Sequence, residues 1–124
     1  AREALDSFTL KGKEGLEKIQ NAMNVLRNEM PARFGDTVIK AVRDYKAGIR
    51  TDMKTNRQET LTLPKSNVLY YETDKGFWFC IRPSGTEPKI KIYYGVSGSS
   101  WEDSEKALNN LRNNVLANIK PLLE

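Results

Sequence analysis

The stretch Arg82-Pro83-Ser84-Gly85-Thr86-Glu87-Pro88-Lys89-Ile90-Lys91 has a composition suited to gripping a phosphate dianion. An arginine presents a planar fork of donors that matches two phosphate oxygens. Ser84 and Thr86 offer hydroxyls two residues apart. Gly85 between them lets the backbone approach an anion and take φ > 0, so that successive N–H groups converge. Pro83 and Pro88 restrict φ at both ends, which lowers the entropy of holding the loop ready. Lys89 and Lys91 share one face of the strand that follows and add positive potential, and the twist of the sheet decides whether Lys91 reaches the anion. Glu87 runs against a bare anion site: it must point away, pair with a lysine, or accept from a hydroxyl of the ligand. Composition alone also allows an ordinary turn, because Pro, Ser, Gly and Thr are common turn residues. No Walker loop or dinucleotide fingerprint is present, so no nucleotide is implied.

What is missing narrows the chemistry further. The chain of 124 residues has no histidine and one cysteine, Cys80. A Ser-His-Asp or Cys-His nucleophile, an imidazole base, a histidine-bearing zinc site and an internal disulfide are thereby excluded. Cys80, in a strand beside Trp78, reads as a small buried hydrophobe. Twenty basic against sixteen acidic residues leave a net charge of +4, a mild bias towards an anionic partner. No apolar run approaches the ~20 residues that a membrane helix needs, and no secretory pattern opens the chain. A cytoplasmic, reducing setting is the expectation. Ala1 in place of a Met points to a processed or excised chain.

Elements that position the loop follow from periodicity. Leu16, Ile19, Met23, Leu26 and Met30 recur at spacings of three and four, which predicts a helix stopped by Pro31 and Gly35. A second helix starts from Ser100 as N-cap, with Glu102, Asp103 and Glu105 in its first turns, and buries Leu108, Leu111, Val115, Ile119 and Leu122. Pro121 frays its end. The acidic residues there are explained by the helix dipole rather than by acid chemistry. Between the helices the period becomes two. Ile90, Ile92, Tyr94 and Val96 alternate with Lys89, Lys91, Tyr93 and Gly95; Phe77, Phe79 and Ile81 alternate with Trp78, Cys80 and Arg82. Val68–Thr73 forms a hairpin with the latter run through Asp74-Lys75-Gly76, and a fourth strand runs through Thr37–Tyr45. The expected class is α+β: an antiparallel four-stranded sheet with both helices on one face. Residues 46–66 hold five basic and two acidic residues and read either as a mobile surface loop or as a basic flap over an anion.

The string RPSGTEPKIK resembles the phosphate-binding loop of the α-D-phosphohexomutases, the phosphoglucomutase and phosphomannomutase family, in their C-terminal domain. Arg82, Ser84, Gly85, Thr86, Glu87 and Pro88 carry the resemblance. It extends to a helix ending near Arg27, then Asp44-Tyr45, then Leu63-Pro64-Lys65-Ser66-Asn67-Val68-Leu69, and covers the chain from about Phe8 to its end. By this resemblance residues 1–124 are the fourth domain of a four-domain enzyme, with residues 1–10 as the remnant of an interdomain linker. It also implies a curved sheet of TATA-binding-protein type. Such enzymes move a phosphoryl group between the 1 and 6 positions of a hexose through a phosphoserine, with Mg²⁺ and a hexose 1,6-bisphosphate. The phosphoserine, Mg²⁺-binding and sugar-reading motifs are absent from this sequence, so the domain alone is expected to bind no metal and to be inactive. The resemblance gives Arg82, Ser84, Gly85, Thr86 and Lys91 the phosphate that is not reacting, with Glu87 and Lys89 as further candidates. Its partners would be a hexose phosphate and the other three domains, with no nucleic acid and no membrane. Whether the sugar is glucose or mannose is left open.

Two readings of other classes compete. Lys75-Gly76-Phe77-Trp78-Phe79-Cys80-Ile81-Arg82 echoes the aromatic strand of RNA-recognition domains. Trp78 stands where a small residue belongs, Arg82 where an aromatic belongs, and a strand follows in place of the required helix. The other rival is a structural interaction domain, whose helix stripes and basic loop serve a protein partner.

Overall fold

Strands form wherever one side chain in two can be buried, and here such runs join into one antiparallel sheet with two helices laid on it. The computed structural model describes residues 1–124. In chain order the elements are β1 (Arg2–Thr9), α1 (Gly12–Glu29), β2 (Arg33–Phe34), β3 (Thr37–Asp44), β4 (Ile49–Asp52), β5 (Gln58–Thr60), β6 (Leu69–Thr73), β7 (Trp78–Pro83), β8 (Lys89–Val96) and α2 (Trp101–Ile119), then a 3-10 turn at Lys120–Leu123. Strand order is β1-β8-β7-β6-β3-β4-β5, with β2 paired beside β3. No helix is long and apolar enough to cross a membrane.

The α+β class, both helices and the four central strands β3, β6, β7 and β8 stand where periodicity puts them. The strand count does not: the sheet has eight strands rather than four. Each addition has a reason. The inward positions of β1 include Ala4 and Asp6, which give no apolar alternation. Asp6 is satisfied there by the Tyr94 hydroxyl and by Arg112 Nε, both at 3.0 Å. The span expected as linker, residues 1–10, therefore carries an edge strand paired with β8 from Arg2↔Val96 to Thr9↔Lys89. Within residues 46–66, expected as loop or flap, β4 and β5 form a hairpin on β3. The rest of that segment is tied back by Leu61 N–H to Gly48 O at 2.9 Å and Ser66 N–H to Tyr45 O at 3.2 Å. β5 is wholly exposed, so no burial pattern could announce it.

One core of 18 buried residues lies between the sheet and the helices. α1 contributes Ile19, Met23 and Leu26; α2 contributes Leu108, Leu111, Val115 and Ile119; the sheet answers with Phe79, Ile81, Ile90, Ile92 and Tyr94, all fully buried. Each such large apolar side chain is worth about 1.5–3 kcal/mol relative to exposure. Phe34 from β2 meets Tyr71 and Phe79 edge-on, with both centroid distances 5.0 Å. The helix ends follow local rules. Met30, before Pro31, takes a left-handed φ of 43° and ends α1. Ser100 Oγ accepts from Asp103 N–H at 3.1 Å and starts α2, while Pro121 turns its end into the 3-10 segment.

The sheet's other face carries no helix. One row of register partners crosses it: Leu5, Tyr93, Cys80, Tyr70, Arg43, Arg50 and Glu59. Glu72, on the same face, is held by Arg50 Nε at 2.8 Å and Arg43 Nε at 2.9 Å. Hydrogen bonding from Arg50, helped by Arg43, lowers its pKa from 4.5 to about 2. A carboxyl depressed in the folded state stabilises fully above its unfolded pKa and loses that contribution as pH falls through the folded one. Between pH 4.5 and 2 the native chain should therefore lose stability, and Glu72→Gln should flatten that limb in urea titrations at stepped pH. An acid limb unchanged by the substitution would contradict the assigned role of Glu72.

Candidate functional site

The hairpin of β7 and β8 fixes where the basic side chains stand. Register pairs Arg82 with Lys91 and Pro83 with Ile90. Arg82 and Lys91 thus lie directly opposite one another on the open face, and Ser7 of β1 flanks Lys91 from the other side. Like charges directly opposite on neighbouring strands repel and cost stability. None of the chain's seven ion pairs relieves them: Arg82, Lys89 and Lys91 have no carboxylate partner.

Between the strands the loop 84–88 is closed by few bonds. Ser84 N–H donates to Lys89 O at 2.9 Å, Lys89 N–H to Glu87 O at 2.7 Å, and Glu87 N–H to Ser84 Oγ at 3.4 Å. Gly85 takes φ +85°, which L side chains rarely adopt. The N–H groups of Gly85 and Thr86 donate to nothing within the chain and remain free for a ligand. The base of the loop is firmer. Leu10 N–H donates to Pro88 O at 2.7 Å. Gly15 of α1 lies so close that a Cβ there would come within 2.7 Å of Leu10 Cβ and 3.3 Å of Pro88 Cβ. The junction of β1 and α1 is therefore the floor on which the loop stands.

Arg82, Ser84, Glu87, Lys89 and Lys91 border one open cavity of about 380 Å³, completed by Pro83 and Tyr93. That volume falls in the range of small-ligand pockets. Gly85 and Thr86 sit at the exposed tip and do not border it. The register sets Lys91 opposite Arg82 on the wall of the same cavity. Tyr93 and Ser7 were not singled out from sequence: Tyr93 reads there as one more alternating residue, and Ser7 became visible only once β1 proved to be a strand. The cavity's side chains are three cations and one carboxylate together with the hydroxyls of Ser84 and Tyr93, a lining of net positive charge.

The other groups considered from sequence do not line this cavity. Cys80 lies on the open face, where burial pushes its thiol pKa up, away from nucleophile chemistry. Asp103 belongs to the α2 N-terminus and Glu105 pairs with Arg2. No three acidic or cysteine side chains come together as a metal-binding group. Phe79 and Ile81, in the strand that echoes RNA-recognition domains, are buried beneath the helices, and Trp78 on the open face is stacked on Tyr70 at 5.5 Å.

A sequence model described as "Phosphoglucomutase/phosphomannomutase, C-terminal domain" matches residues 13–111, from α1 through the basic hairpin into α2. The chain belongs to this family. It is 35% identical over 108 residues to a phosphoglucomutase of Staphylococcus epidermidis, a match that covers 87% of the chain and 20% of the relative. A phosphoglucomutase of Staphylococcus saprophyticus is 36% identical over 109 residues, and one of Staphylococcus aureus 35% over 107. The chain thus spans about a fifth of the length of these relatives.

Because Gly15 sets the spacing between α1 and the loop base, Gly15→Val is expected to cost about 1–3 kcal/mol through overpacking. Hydrogen exchange would show the damage: the Leu10 amide should lose protection before the amides of β3 and β6 do. Uniform loss, or none, would mean that the loop does not rest on α1.

Proposed function

We propose that this chain is the domain of a hexose-phosphate mutase that holds the substrate's non-reacting phosphate. The observation that carries the reading is the pair Arg82 and Lys91, opposed across β7 and β8 without a carboxylate between them and facing a cavity of small-molecule size. An anionic ligand supplies the missing counter-charge, and the arginine fork fits two of its oxygens. Ser84 and Lys89 add donors around the same cavity, while the free amides of Gly85 and Thr86 stand at the loop tip outside it.

The role follows from the symmetry of the reaction. A mutase acting between the two ends of a hexose must bind the sugar both ways round, because either end can react. A fixed grip on the remote phosphate supplies binding energy and orientation in both poses. It needs no acid, base or metal of its own. The transferable phosphoryl group and Mg²⁺ would belong to the other three domains, and the hexose 1,6-bisphosphate to the full-length, cytoplasmic enzyme. Closure of this domain over the shared cleft would exclude water from the reacting end.

Arg82→Ala should weaken binding of glucose 6-phosphate by about 1.5–3 kcal/mol, the cost of losing a charged hydrogen bond. An NMR titration of the 124-residue chain reads this directly; affinity unchanged by the substitution would remove Arg82 from the site. The unmodified chain should convert no glucose 1-phosphate to glucose 6-phosphate, and turnover in a coupled assay would refute the division of labour between domains. Salt separates the rival partner class, because RNA binding weakens steeply and uniformly as salt rises.

A further inference from the structure

The cavity is larger than its charged end requires, and its far wall is Tyr93. Side chains 89, 91 and 93 project from the same face of β8, each about 6.6 Å from the next. Lys91 stands opposite Arg82; Tyr93 stands one row further from the loop, opposite Cys80 on β7 and Leu5 on β1. Its ring is half-buried, and its hydroxyl enters no hydrogen bond within the chain. The cation-lined end and the tyrosine therefore form one continuous wall of the same cavity, with the charge at one end and an unengaged amphipathic ring at the other.

A phosphate monoester of a polyol has matching halves. Its dianion needs cations and N–H donors; the body attached through the ester oxygen carries C–H faces and hydroxyls. A tyrosine offers a flat apolar face together with one hydroxyl that donates or accepts. We propose that Tyr93 is the contact for the organic body of the phosphate ester, seating a C–H face of the sugar against its ring and setting the preference for a sugar phosphate over inorganic phosphate. This rests on the phosphate reading above and adds a specificity residue to it. Glu87, across the same cavity, is placed to accept from a hydroxyl of that body.

The test compares two probes, glucose 6-phosphate and inorganic phosphate, titrated by NMR into the 124-residue chain. Tyr93→Ala should weaken glucose 6-phosphate about tenfold, the size of one aromatic contact, and leave inorganic phosphate within about twofold. Tyr93→Phe keeps the ring and should retain most of the preference, and it guards against a fold lost by truncation. Equal weakening of both probes by Tyr93→Ala, or of neither, overturns the assignment. So does loss of the preference in Tyr93→Phe, because the ring face would then not be the contact. Arg82→Ala is the control for the underlying reading and should weaken both probes; if it weakens neither, the phosphate reading fails and the role of Tyr93 falls with it. If Arg82→Ala behaves as expected while Tyr93→Ala does not discriminate, only the present inference fails.

Discussion

A slip of one residue by β8 against β7 would turn Ile90 and Ile92 out to solvent and carry Lys91 under the helices, and the same slip by β7 would do this to Phe79, Ile81 and Arg82. Strand period two makes the two outcomes inseparable. The pairing of Ile81 with Ile92 and of Arg82 with Lys91 is therefore a single constraint, expressed once as core and once as site. Burial of those apolar side chains resists the slip at several kcal/mol. That resistance exceeds the cost of holding two like charges side by side on the opposite face. The site is electrostatically unfavourable by itself and is maintained by packing on the other side of the same strands.

Support for the loop comes from outside the hairpin. Leu10 donates to Pro88, and the bare Cα of Gly15 lets α1 close over both. α1 is in turn pinned at its far end by Arg27, whose Nε meets Asp44 at 3.2 Å. β1 carries two functions in one strand. Its inward Asp6 ties Tyr94 to Arg112 on α2, and its outward Ser7 lies beside Lys91. An edge strand with so little apolar content is held by hydrogen bonding and ion pairing more than by burial.

Legibility in the sequence followed the strength of the apolar signal. The stripe of α1, the Ser100 cap and the alternation of Lys89–Val96 each name their element, because each buries large side chains or satisfies a helix end. β1 and the β4–β5 hairpin were not legible. Asp6 replaces an apolar residue, and Arg50 reads as a surface charge until Glu72 is brought beside it from 22 positions away. The loop itself was legible as residue types, and its neighbours on the sheet were not. Opposition of Arg82 to Lys91 and the reach of the cavity to Tyr93 depend on register, which local sequence does not state.

The β7–β8 hairpin is proposed to clasp the phosphate of a sugar phosphate. A crystal structure of this chain grown with glucose 6-phosphate tests it most directly. A phosphate group is expected within hydrogen-bonding distance of the Arg82 guanidinium, Ser84 Oγ and Lys91 Nζ. A cleft without ligand, with the Arg82 guanidinium turned to a carboxylate of the protein, would contradict it.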